Sequence, residues 1–121
     1  MPRPSLPRAD SLLDALEQAK GLFRRELFPA ALVSYQFVAD AALAVAPDIW
    51  VEAAYGIAEC LRLSGHLLAA CRGYRQVLDG MPRWKQTQGR LMRANRMAVV
   101  QSSLWLIEIG RLSLRVSQVV M

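Results

Sequence analysis

Glu52 and Glu59 stand seven residues apart in a stretch with helical spacing, which puts both carboxylates on one helix face. Paired carboxylates can share general acid and base work, but this separation alone is too generic to mark a catalytic pair. His66 is the one histidine, and spacing holds neither a carboxylate nor a nucleophile beside it. It reads as a surface residue in a turn. Cys60 and Cys71 fit no metal-ligand spacing and have no histidine pair nearby, so they are expected to be inert core thiols in a reducing compartment. No glycine-rich phosphate loop and no HExxH, GxSxG or CxxC motif occurs. The expectation is a protein that is not an enzyme and uses no cofactor and no metal.

Charge is the other chemical resource. The formal net charge of +5 hides an asymmetry: residues 1–79 carry eight basic and nine acidic side chains, and residues 80–121 carry seven basic ones and only Glu108. Arg83, Lys85, Arg90, Arg93 and Arg96 form an unopposed basic stretch. Phosphate attraction needs no more than such a patch. On a helix, however, these five charges would partly encircle the axis, and no series of aromatic side chains accompanies them. A solvated face or an acidic protein partner is the better reading, and nucleic acid the weaker one.

The elements that must position these groups are helical. In 121 residues there is room for one domain with a real core. Hydrophobic residues reach 54% and charged ones 21%, an apolar surplus that implies a surface covered by a partner or by the rest of a larger chain. The opening MPRPSLPR has no apolar stretch behind its basic residues, so it is no secretory signal. The uncharged stretches at residues 28–39 and 97–107 are too short to span a bilayer. A soluble, intracellular, all-α protein is expected.

Residues 1–10, with three prolines, read as a disordered leader ahead of a single domain over residues 11–121. Ser11 and Asp14 look like a capping box, so a first helix should start near residue 12, with apolar Leu12, Ala15, Leu16, Ala19, Leu22 and Phe23. Pro29 suits the first turn of a second helix over residues 30–46, which carries only Asp40 and should be buried on more than one side. In residues 51–82, small Ala58 and Ala70 let two helices approach, Tyr74 fills the space beside them, Gly65 separates them and Pro82 ends the second. Ala31, Tyr35 and Val38 repeat Ala70, Tyr74 and Val77 at an offset of 39 residues, while Pro47 arrives one helical turn late. This pattern resembles the tetratricopeptide family, whose period is about 34 residues. The resemblance implies helical hairpin repeats stacked as a short α-solenoid: repeat one over about 12–47, repeat two over about 50–82, and an irregular third segment over about 85–121. In that segment a helix from residue 85 or 87 should end by Gly110. Residues 111–121 alternate apolar and polar types and suit a strand or a second helix equally.

Ala19-Lys20-Gly21-Leu22-Phe23, Ser34-Tyr35, Ala58-Glu59-Cys60 and Leu78-Asp79-Gly80-Met81-Pro82, with Ala94-Asn95 beyond, carry a narrower likeness. Over residues 17–96 the chain resembles the amino-terminal repeats of subunit seven of the anaphase-promoting complex, a ubiquitin ligase of the cell cycle. That resemblance implies a non-catalytic scaffold, a homodimer within a multisubunit assembly, in nucleus or cytoplasm. The rival expectation is a small free-standing tetratricopeptide chaperone or adaptor, for example of a bacterial secretion system and so in the bacterial cytoplasm, which binds a partner segment.

In a tetratricopeptide the first helix of each pair lines the concave groove. The register set by Ala58 and Ala70 gives that groove Glu52, Tyr55, Glu59 and Arg62, and the corresponding residues of the first unit are Leu13, Leu16, Lys20 and Phe23. One half is greasy and the other charged. Glu52 and Glu59 oppose a clamp for a terminal carboxylate. Leu13, Leu16 and Phe23 suit self-pairing or an amphipathic helix laid in the groove, and equally simple packing beneath a neighbouring helix. Trp50 reads as packing at the start of the second unit.

Overall fold

The computed structural model describes residues 9–80 and 91–120, and among these residues it forms five helices. They are α1 (Ala9–Arg24), α2 (Phe28–Ala42), α3 (Pro47–Leu63), α4 (Leu67–Asp79) and α5 (Leu91–Val120). The chain is all-α across these residues. Each helix packs against the next among α1 to α4, α5 packs on α4, and α3 also touches α1 and α5. Central α3 thus meets all four others.

Two hairpins share one turn device. After α1, Glu26 takes a left-handed φ of 61°, Leu27 N–H bonds Leu22 C=O and Glu26 N–H bonds Phe23 C=O. After α3, Gly65 takes φ 86°, His66 N–H bonds Leu61 C=O and Gly65 N–H bonds Arg62 C=O. Both are Schellman closures, which need one residue beyond the helix in the left-handed region. Their separation is the same 39 residues that relate Ala31 to Ala70, Tyr35 to Tyr74 and Val38 to Val77, and all six of these side chains are buried. The turn geometry and these buried positions therefore recur at one common offset.

The core falls into three clusters around α3. Leu12, Leu16 and Ala19 of α1 join Ala31, Tyr35, Val38 and Ala42 of α2 and Ile49 and Ala53 of α3. Val51, Ala54, Val77, Ala98 and Val99 fill the space among α3, α4 and α5. Ala58, Ala70, Tyr74 and Ile109 complete the other end. Small residues set the approach distances, as expected of Ala58 and Ala70: a methyl group on Gly73 would come within 2.9 Å of Ala58 Cβ. Trp50 packs between the first two clusters and lies against Gly80, so packing is its role.

Several expected boundaries shift. α1 starts at Ala9, so Ser11 lies inside its first turn and is not its cap. α2 ends at Ala42, four residues early, because Pro47 starts α3 instead of stopping α2; residues 43–45 form the turn. Nor is α2 buried on several sides. Its inner face is covered by α1 and α3, while Val33 and Phe37 stand 66% and 63% exposed. α5 passes through Gly110 without a break, which makes residues 111–120 helical. At 30 residues it is about 45 Å long. A third hairpin is thus absent from residues 91–120, and the expected helix end at Pro82, the helix start at residue 85 or 87 and most of the expected leader over residues 1–10 lie outside the described residues.

Candidate functional site

Helices α1, α3 and α5 are adjacent, α3 in the middle, and the expected groove residues project from the first two. Lys20, Phe23, Glu52, Tyr55 and Glu59 come together, with Tyr35 and Gly56, around one largely apolar cavity of about 160 Å³. Glu52 and Tyr55 also form one wall of a second cavity of about 290 Å³, whose other wall is Ala94, Met97, Ala98 and Gln101 of α5. Five of the eight expected residues therefore line a common face, and α5 extends it.

The other three are placed differently. Leu16 is fully buried in the first core cluster and presents nothing to a partner. Leu13 is half-buried against the same cluster, as is the cavity-lining Phe23, whose ring meets Phe28 edge-on at 5.4 Å. Leu13, Leu16 and Phe23 thus all contact the first core cluster. Arg62 turns instead toward α4 and α5. Its guanidinium donates to Glu59 Oε2 at 2.9 Å and to the Tyr74 hydroxyl at 3.0 Å, and it lies 3.8 Å from the centre of the Trp105 ring.

Charges on this face are paired within it. Lys20 bridges Glu17 at 3.6 Å and forms a close ion pair with Glu52 Oε1. Glu52 is only 8% exposed, and its second oxygen is buried without a hydrogen bond. Glu59 accepts from Arg62 and, in a short contact, from the Tyr74 hydroxyl. Burial raises the pKa of Tyr74, and its hydrogen bond to Glu59 raises it further. Burial likewise pushes the Tyr55 phenol up to about 12, with the Glu59 charge adding to it. Burial opposes the Arg62 charge, but Glu59 outweighs that and raises its pKa. Tyr55 and Tyr74 are thus held as neutral phenols beside the Lys20–Glu52 and Arg62–Glu59 ion pairs.

His66 is exposed, and its carbonyl accepts the first hydrogen bond of α4, from Ala70 N–H. Cys60 is buried, its thiol pushed up to about 11 by desolvation first and by Glu59 second, while Cys71 is half-buried. Both are free. Among the described residues no three His, Cys, Asp or Glu side chains gather as a metal site would require, and no helix is long and apolar enough to cross a membrane. Of the basic stretch, Arg96 is exposed; Arg83, Lys85 and Arg90 and the side chain of Arg93 lie outside the described residues.

Met97, Ala98, Gln101 and Trp105 were not among the expected site residues. Their signal was present in Ala94, Ala98 and Ser102, small residues four apart that let α5 lie close to α3. A larger cavity of about 380 Å³ is lined, among the described residues, by Leu43, Trp50, Gln76, Asp79 and Gly80. No protein-family model, curated protein or solved structure matches this chain.

Proposed function

We propose that this chain is a non-catalytic protein-interaction module of the tetratricopeptide type, which holds a segment of a partner protein along the face formed by α1, α3 and α5. Support for the repeat type comes from the 39-residue offset shared by the turns and by the buried Ala, Tyr and Val positions. Alternate helices α1, α3 and α5 touch, and α2 has no contact with α4, as in a stack of hairpins whose first helices share one side.

The single observation that carries the reading is that residues from alternate helices line two neighbouring cavities, with Glu52 and Tyr55 belonging to both. At about 160 and 290 Å³ these hollows fall below the range of about 300–1,000 Å³ used for whole small molecules. They suit single side chains of a bound segment. The resemblance of residues 17–96 to subunit seven of the anaphase-promoting complex makes a scaffold of a ubiquitin-ligase assembly the specific form of this reading. A free-standing chaperone would use the same face.

Selection from a random peptide display library tests it. Peptides enriched on the wild type should bind with about micromolar Kd, and Gln101→Trp, which fills the larger hollow, should weaken them by about tenfold or more. Failure to enrich any peptide, or peptides that bind Gln101→Trp equally well, would overturn the reading.

A further inference from the structure

The smaller cavity of the inner face joins three aromatic side chains to one unsatisfied acceptor. Phe23, Tyr35 and Tyr55 supply its walls, and Glu52 projects from α3 beside them. The Glu52 side chain is 10% exposed, and its Oε2 is buried without a hydrogen bond while Lys20 holds Oε1. Both oxygens of the neighbouring Glu59 are engaged, by Arg62 and by the Tyr74 hydroxyl. The Glu52 carboxylate belongs to this cavity more than to the larger one. Lys20 and Tyr35 line the smaller cavity and not the larger, and Lys20 is its ion-pair partner. After burial and the nearby Cys60, the Glu52 charge is a further cause that raises the pKa of Tyr35.

Size and charge together specify the occupant. An apolar cavity of about 150 Å³ in a protein interior holds benzene, so about 160 Å³ is room for one six-membered ring. An indole, with its second ring, exceeds it. A guest ammonium or guanidinium would stand beside Lys20, and a guest carboxylate would face Glu52 and Glu59; both meet repulsion. A neutral ring with one donor meets neither, and aromatic walls favour it through edge and offset contacts. A buried carboxylate oxygen without a donor is costly, and a phenol hydroxyl supplies that donor.

We infer that the smaller cavity takes the side chain of a tyrosine from the held segment, its ring among Phe23, Tyr35 and Tyr55 and its hydroxyl donating to Glu52 Oε2. The inference rests on the groove reading and names the anchor of that segment. The tyrosine belongs to a different protein, because all three tyrosines of this sequence are packed within its own core clusters.

Nuclear magnetic resonance of the labelled full chain, titrated with p-cresol, tests it. p-Cresol is the tyrosine side chain, and toluene is the same ring without the hydroxyl. p-Cresol should move the amides of Phe23, Glu52, Tyr55 and Gly56 with a Kd of about 1 mM, and toluene should bind about tenfold or more weakly. Glu52→Met should erase the preference while circular dichroism stays that of the wild type; if it loses helicity, Lys20→Met/Glu52→Met removes the pair together and serves instead. Toluene binding as tightly as p-cresol, n-butylammonium binding more tightly, or a preference that survives in the folded variant would overturn the inference. Peptides from the display selection separate it from the groove reading. Enriched peptides should share a tyrosine whose change to phenylalanine weakens binding by about tenfold. Peptides sensitive to Gln101→Trp but without a shared tyrosine would overturn the inference and leave the groove reading standing. Failure to enrich any peptide would overturn both.

Discussion

Replacing Gly56 with alanine should destabilise the protein, although alanine is the better helix former. In an exposed helix interior the exchange gains about 1 kcal/mol. Here the new Cβ would lie 2.5 Å from both Cε1 and Cζ of Tyr35 and 2.7 Å from Cδ1. Carbon atoms rest about 3.5–4.0 Å apart, so α2 or the ring must retreat by about 1 Å. The ring has nowhere easy to go: Tyr35 is 4% exposed and packed among Ala31, Val38 and Ala53. Overpacking of this kind costs about 1–3 kcal/mol, which against that gain leaves a net loss of up to about 2 kcal/mol. Gly21→Ala supplies the control, since nothing lies within 4 Å of its Cβ, and it should gain up to about 1 kcal/mol. Urea denaturation with an unchanged m-value reads both. The double variant Gly56→Ala/Tyr35→Leu should fall short of the sum of its parts, because the smaller side chain removes the collision. Equal stability of Gly56→Ala and Gly21→Ala would refute the reasoning. Gly56 and Tyr35 also wall the smaller cavity of the inner face, so the close approach of α2 and α3 shapes the groove as well as the core.

The Lys20–Glu52 pair and the tyrosines give further tests. With the Lys20 side chain only 25% exposed and the Glu52 side chain 10%, Lys20→Met leaves a buried carboxylate without its cation and should cost about 2–3 kcal/mol. Lys20→Met/Glu52→Gln should recover to within about 1 kcal/mol of the wild type, and a neutral Lys20→Met in urea denaturation would contradict the pairing. All three tyrosines have pKa values raised by burial, so the folded state favours the neutral phenol. That stability is complete below the ordinary value of 10.0 and is lost as pH rises toward about 12 for Tyr55 and beyond it for Tyr35 and Tyr74. Phenolate absorbance should rise together with loss of helicity in alkali, and three tyrosines ionising near 10.0 with helicity intact would refute this.

Much of the architecture was legible because close-packed positions constrain residue type. Where two helices approach, only small residues fit, and the Ala–Tyr–Val series at an offset of 39 residues marks those contacts in the sequence itself. Ends were less legible. Pro47 can stop one helix or open the next, since its fixed φ suits a first turn, and the sequence alone does not choose. Gly110 looked like a terminator, but a glycine in open space costs a helix only about 1 kcal/mol, and the formers on either side carry α5 through it. Leu16 was misplaced by one helical face: its register partner Tyr55 reaches the groove, whereas the shorter Leu16 stays within the core. The share of α5 in the groove was hidden because the 39-residue register lapses there: Met97 stands at the offset from Ala58, while Ala98 is the small residue that packs.

The most direct test of the binding face is nuclear magnetic resonance of the labelled full chain, titrated with a peptide from the display selection. Amide shifts should concentrate on Lys20, Glu52, Tyr55, Glu59 and Gln101, which line the two inner cavities. Shifts centred on the outer residues of α2, such as Val33 and Phe37, with the inner residues unmoved, would contradict the proposal that α1, α3 and α5 hold the partner.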